Sequence, residues 1–219
     1  MHIKRNNIPK TWPLPRKQGT KYLAVSDHSG SSGIPLLFVL REILGIVKTR
    51  KEAKKIILNK EIKINGIVVR SEMLPVQIFD KIAIEKIKKY YRLDIVNRKF
   101  QLEEVAEKES HKKTVKVSGK KMIGKGKVQV NFKDGQNILY DKEVNVGDSV
   151  VLNFEKEKNS VEKILKMEKG ANIEVISGKH AGERGKLEEV IESNQVKRFK
   201  VKLEAGIVEL PLKTILIIE

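Results

Sequence analysis

Apolar residues at 36–47 recur at helical spacing. Leu36, Leu40, Ile43, Leu44 and Val47 fall on one side, as in a helix that buries a stripe. Thr49 stands three residues ahead of Glu52, the spacing at which each side chain caps the start of a second helix. In that helix Ala53, Ile56 and Ile57 turn inward, while Arg50, Lys51, Lys54 and Lys55 turn outward. The period then shortens. Residues 62–64 and 67–69 read as paired strands around Asn65-Gly66, a dipeptide that tolerates the positive φ of a tight hairpin. Further strands are expected at 76–79 and 82–85, with Asp80-Lys81 turning between them.

From about residue 99 the pattern becomes short alternating runs between turns. Strands are expected at 114–117, 127–132 and 149–154, with Asp134-Gly135 and Gly147-Asp148 as turn signals. Residues 128–132 alternate apolar and polar as a half-buried strand does. The last fifty or so residues repeat the style at 172–176, 186–191, 197–203, 207–210 and 214–218. Five such strands predict an SH3-like barrel, whose closure removes exposed edges. Residues 1–33 carry few periodic apolar positions, three prolines (Pro9, Pro13, Pro15) and a Ser/Gly cluster at 29–33. They are expected to form an extension and not a domain, flexible until it meets a partner. The fold class is therefore α+β and multi-domain. The expected modules are a basic N-terminal extension (1–33), a helix-and-hairpin domain (34–98), a small, mostly-β central domain (99–168) and the barrel (169–219).

Charge sharpens this picture. The 219 residues carry a formal net charge of +17. Residues 1–99 hold 22 Lys/Arg against 8 Asp/Glu, whereas residues 100–219 hold 23 against 20. A field concentrated on one half suits a polyanion, because each neutralised phosphate releases condensed counterions. In residues 1–33, six cations and one acid surround Trp12 and Tyr22, a mixture suited to stacking and phosphate contact. The chain has no cysteine, which excludes disulfides and thiolate metal sites and fits a reducing cytosol. No apolar run has the length of a signal peptide core or a membrane span.

Catalytic chemistry finds no footing. Residues 119–126 nearly match a phosphate-cradling NTPase loop, but Gly126 stands where Ser or Thr must bind magnesium, and a strand pattern follows instead of a helix. A lysine-rich hairpin is expected there. His2, His28, His111 and His180 are scattered and lack ligand-spaced partners, so no metal or other cofactor is expected. No nucleophile elbow or triad order appears. Residues 170–187 place Gly178, Lys179, Gly182 and Gly185 between two strands, where backbone bends sharply and can approach a phosphate.

In order, these segments resemble one family. His2 to Arg5 and Pro9 to Lys17 are similar to the basic, tryptophan-containing start of the archaeal and eukaryotic-type small-subunit ribosomal protein four family. Ile34 to Leu37, Arg41 to Gly45 and Lys48 to Ala53 resemble its RNA-binding domain, the alpha-L motif shared with pseudouridine synthases and a tRNA synthetase. Gly119-Lys120, residues 124–126 and Asn145 to Asp148 match the central domain's glycine turns, and the glycine loop at 178–185 resembles a KOW motif. The resemblance spans nearly the whole chain. Glu183 and a neutral balance in the KOW loop depart from the pattern, as does a short extreme N-terminus.

The resemblance implies a non-enzymatic structural constituent of the small ribosomal subunit that binds ribosomal RNA and supports translation in the cytoplasm, among neighbouring small-subunit proteins. It implies no membrane and no small-molecule substrate. Arg50, Lys51, Lys54 and Lys55 are expected on backbone phosphates, flanked by Arg41 and Lys48 and bordered by Lys63, Asn65 and Arg70. Lys4, Arg5, Trp12, Arg16 and Lys17 are expected to thread along RNA. Two other classes compete: an RNA-modifying enzyme using the alpha-L motif as a clamp, and a KOW-containing transcription or translation factor. The first needs a catalytic domain, which the two downstream β modules do not offer. The second would not stay with salt-washed subunits.

Overall fold

The computed structural model describes residues 2–28, 33–123, 127–140, 143–154, 160–192, 197–204 and 206–218. Of the lysine-rich hairpin expected at 119–126, residues 119–123 pair antiparallel with 127–131, while 124–126 and most of the Ser/Gly cluster lie outside the described residues. The chain divides into two compact units, Met1–Lys112 and Lys113–Glu219.

In the first unit, a five-stranded antiparallel sheet runs in the order Ile67–Val68, Ile62–Ile64, Lys81–Ile84, Lys89–Val96, Lys99–Glu104. Asn65 (φ 50°) and Gly66 (φ 78°) turn the first hairpin, and Asn97 (φ 51°) and Arg98 (φ 65°) turn the last. Two left-handed residues in succession match the twist of the strands they join. The hairpin expected between 76–79 and 82–85 does not form. Pro75–Val76 pairs instead with Ile34–Pro35, and Phe79 (φ 64°) reverses the chain before Lys81. The segment is extended as its pattern implies, but its partner lies forty residues upstream, beyond the reach of local spacing.

The first expected helix is only a short α-turn, Leu36–Phe38, running into a wide π-turn at Val39–Ile43. The Leu44 amide donates to the Val39 carbonyl at 2.9 Å, which rotates the stripe so that Leu36, Leu40 and Val47 are buried while Ile43 and Leu44 are only half-buried. The second helix, Arg50–Leu58, buries Ala53 and Ile57.

Residues 2–24 are built into this unit. His2–Lys4 pairs with Tyr22–Ala24, and Ile8, Trp12, Leu14 and Leu23 are buried. The Trp12 ring packs against Phe38 with centroids 5.5 Å apart, and the Phe100 amide donates to the Thr11 carbonyl at 2.8 Å. The expected extension is thus folded, because its four large apolar side chains find a common core.

The second unit holds two five-stranded sheets. One runs Asn137–Leu139, Lys127–Phe132, Lys112–Ile123, Ser149–Asn153, Ser160–Leu165, around Val115, Val117, Val130, Phe132, Val150 and Leu152. The other is antiparallel in the order Gly206–Pro211, Lys197–Leu203, Arg184–Glu192, Asn172–Val175, Ile215–Ile217, around Ile173, Val175, Leu187, Phe199, Val201 and Ile215. Polar bonds tie the two. Lys116 Nζ donates to the Leu212 carbonyl and to that of Ile215 at 2.5 Å, and the Ile217 amide donates to Ser149 Oγ at 3.0 Å. No helix among the described residues is long and apolar enough to cross a membrane.

Candidate nucleic-acid interface

The basic helix begins at a closed capping box. The Glu52 amide donates to Thr49 Oγ1 at 3.3 Å, and the Thr49 amide donates back to Glu52 Oε2 at 3.4 Å. The Lys48 amide adds a bond to the same oxygen at 2.8 Å. These bonds, with that of Lys48 foremost, hold the Glu52 carboxyl below its ordinary range. A helix so capped starts at a fixed residue, which fixes the direction of every cation along it.

Glu72 then sorts those cations. It is buried, and it accepts from Arg50 Nε at 3.0 Å and Nη2 at 2.7 Å, with Lys54 Nζ at 3.6 Å. Burial pushes the Glu72 carboxyl up, but its bonds to Arg50 and the field of Lys54 outweigh that and hold it low. Arg50 and Lys54 therefore share one buried anion. Lys51 and Lys55 are exposed, and no ion pair to either occurs among the described residues. They are the strongest phosphate candidates on this face. Glu72 carries no local signal in the sequence, being a single acid in a loop 22 positions from Arg50.

The remaining expected residues divide by environment. Lys4, Lys17, Lys48 and Arg70 are exposed. Lys63 pairs with Glu85. Arg41 donates to Glu42 at 2.9 Å and lies 5.4 Å from the Phe38 ring. Arg5 bonds the Thr20 and Pro15 carbonyls, each at 2.7 Å, and Arg16 bonds the Ile8 carbonyl at 2.9 Å, so both brace the loop between the first two strands. Two residues are placed against the expectation. Trp12 is buried on Phe38 and presents no face for stacking. Asn65 is 6% exposed, donates to Asp80 Oδ1 at 2.8 Å and accepts from the Lys81 amide at 3.0 Å. Its polar atoms serve the hairpin.

In the second unit, Gly178 (φ 100°) and Gly182 (φ 92°) turn the glycine loop, with Lys179 exposed between them. A Cβ on Gly185 would lie 2.3 Å from the Lys202 carbonyl oxygen, so that glycine is required by strand packing. Glu183 contacts His180 Nδ1 at 3.0 Å, and Arg184 donates to buried Glu174 at 2.9 Å. No cluster suited to a metal occurs among the described residues.

Three family models match: the S4 domain over residues 35–82, ribosomal family S4e over 87–159 and the KOW motif over 169–203. The small ribosomal subunit protein eS4 of Methanosphaera stadtmanae is 36% identical over 206 residues, covering 93% of this chain and 85% of the relative. The chain belongs to ribosomal family S4e. Another S4e relative, eS4 of Archaeoglobus fulgidus, is 35% identical over 85% of this chain and 79% of its own. The crystal structure of 30S ribosomal protein S4e from Thermoplasma acidophilum shares the fold, with a TM-score of 0.72 over 86% of this chain and 95% of that one, at 23% identity. In this S4e chain, the S4 match contains the capped helix, Glu72 and the Asn65 hairpin, and the KOW match contains the glycine loop.

Proposed function

We propose that this S4e chain is a structural constituent of the small ribosomal subunit, holding ribosomal RNA against the basic face of its S4 domain. The observation that carries this reading is the fixed helix Arg50–Leu58, which displays Lys51 and Lys55, exposed and without an ion pair among the described residues, beside Arg50 and Lys54. Relatives of similar length are named for that subunit. Lys4, Lys17, Lys48 and Arg70 extend the phosphate-binding surface, while Arg41 and Lys63 contribute with their charge shared by neighbouring acids. Lys179 and the backbone at Gly178, Gly182 and Gly185 offer a second point of contact. Phosphate contacts fix position, so specificity rests on RNA shape.

Under this reading the functional modules are the S4-type domain with residues 2–24 and the strand Lys99–Glu104 built into it, a central β module reaching about residue 168 and a KOW module over 169–219, an α+β assembly ending in an SH3-like KOW barrel. The five antiparallel strands around one core at 172–217 support the last of these. The chain is no enzyme, needs no cofactor, and works on cytoplasmic ribosomes beside other small-subunit proteins. Sucrose-gradient fractionation of a cell lysate, followed by a high-salt wash, tests the proposal. The protein is expected in the small-subunit peak after washing; recovery at the top of the gradient would overturn it.

A further inference from the structure

The strand pair His2–Lys4 and Tyr22–Ala24 has two unlike faces. Register places His2 opposite Ala24, Ile3 opposite Leu23 and Lys4 opposite Tyr22. Opposed residues of an antiparallel pair project to the same side, and alternate residues share a face. Ile3 and Leu23 therefore form one face, with Leu23 buried in the core. His2, Lys4, Tyr22 and Ala24 form the other. On it, Tyr22 is 50% exposed, unlike the buried Trp12.

That tyrosine is held in place. His2 meets it edge-on, with ring centroids 4.6 Å apart at 78°, and the Lys21 ammonium lies 5.4 Å from the ring centroid. Its backbone is paired on the first strand, and the preceding Lys21 carbonyl accepts from the Arg5 amide at 2.9 Å. Beside it opens a cavity of ≈ 470 Å³ whose walls include His2, Tyr22, Ser26, Asp27, Arg50 and Met73. This volume falls in the usual range for small-ligand sites. The walls combine an aromatic surface, a thioether, a hydroxyl, a guanidinium and the Asp27 carboxylate, which accepts from the Ser71 hydroxyl. Arg50 directs its Nε and Nη2 at Glu72, and no bond from Nη1 occurs among the described residues.

We propose that this recess receives one unstacked nucleobase of a single-stranded RNA segment, laid on the Tyr22 ring, with Arg50 and Lys4 meeting the flanking phosphates. Every nucleobase has a π-face, so a rigid exposed ring serves as a sequence-tolerant platform. Cations immediately around it select a polyanionic strand over an apolar peptide. The geometry also joins this recess to the basic helix, because Arg50 opens that helix and lines the cavity wall. An RNA lying across Lys51 and Lys55 would thus present an adjacent loop or end nucleotide to Tyr22. The inference rests on the RNA-binding reading above.

The test uses the full chain with two probes: a single-stranded RNA of about ten nucleotides containing one 2-aminopurine, and a blunt RNA duplex. Stacking on Tyr22 is expected to quench the 2-aminopurine. Tyr22→Ala is expected to weaken single-strand binding by roughly ten-fold or more and to abolish the quench, while Tyr22→Phe retains both. Duplex affinity should be the same in all three proteins, which also verifies that the variants are folded. Unchanged single-strand affinity in Tyr22→Ala, or equal losses on both probes, would overturn the recess while leaving the RNA reading standing. Absence of binding to either probe by the unaltered protein would overturn both.

Discussion

Asn65 and Trp12 show how a side chain suited to RNA contact can be claimed by the fold. Both carry groups that contact nucleic acids elsewhere, and both are used here internally. Asn65→Ala removes two buried bonds and places alanine at a left-handed turn; a loss of about 2 kcal/mol in unfolding free energy is expected from denaturant titration. Trp12→Ala empties a site against Phe38 and is expected to cost about 3–5 kcal/mol, with the exposed cations untouched. Lys116 makes a sharper residue-scale prediction. Burial, reinforced by the nearby Lys133 ammonium, lowers its pKa from 10.5 to about 8. Between those values the unfolded chain binds a proton that the folded amine lacks, so stability rises with pH across that window and is flat below about 8 with respect to this group. Denaturant midpoints for the unaltered protein and Lys116→Met, compared at about pH 7 and about pH 10, check this. The unaltered protein should gain more stability than the variant.

At the scale of elements, much was legible because the signals are local. The Thr49–Glu52 capping box and the Asn65-Gly66 hairpin each depend on residues within a few positions, and both stand where the pattern placed them. What escaped depends on distant partners. The π-turn at Val39–Ile43 answers to the core it packs into, Pro75–Val76 answers to Ile34–Pro35, and Arg50 and Lys54 answer to Glu72. The apolar residues of 1–33 were too sparse to show a period, yet Ile8, Trp12, Leu14 and Leu23 close into the first unit. The distribution of charge along the helix yields its own prediction. Lys51→Ala with Lys55→Ala removes cations that no described acid neutralises, and should lower the slope of log affinity against log salt by roughly one for each phosphate left without its cation. Filter binding across a salt series measures it, with thermal unfolding as the control. Thr49→Ala, by contrast, loosens the helix start and is expected to cost roughly 1 kcal/mol of stability.

For the whole molecule, two compact units divide the labour. The first concentrates the positive field and fixes its direction. The second is less basic, with 21 Lys/Arg against 16 Asp/Glu, is held together by buried polar bonds such as Lys113–Asp134 at 2.7 Å, and offers the glycine loop. Composition already pointed to a polyanion, and the order of the segments pointed to the family; which cations remain available was settled only by their partners in three dimensions. The central claim is that the face of Arg50–Leu58 lies on ribosomal RNA within the small subunit. Ultraviolet cross-linking of salt-washed small subunits, followed by mass spectrometry of RNA-bound peptides, tests this most directly. Cross-links to ribosomal RNA are expected at Lys51 or Lys55. Subunits that contain the protein but yield its RNA cross-links only from other segments would contradict the account.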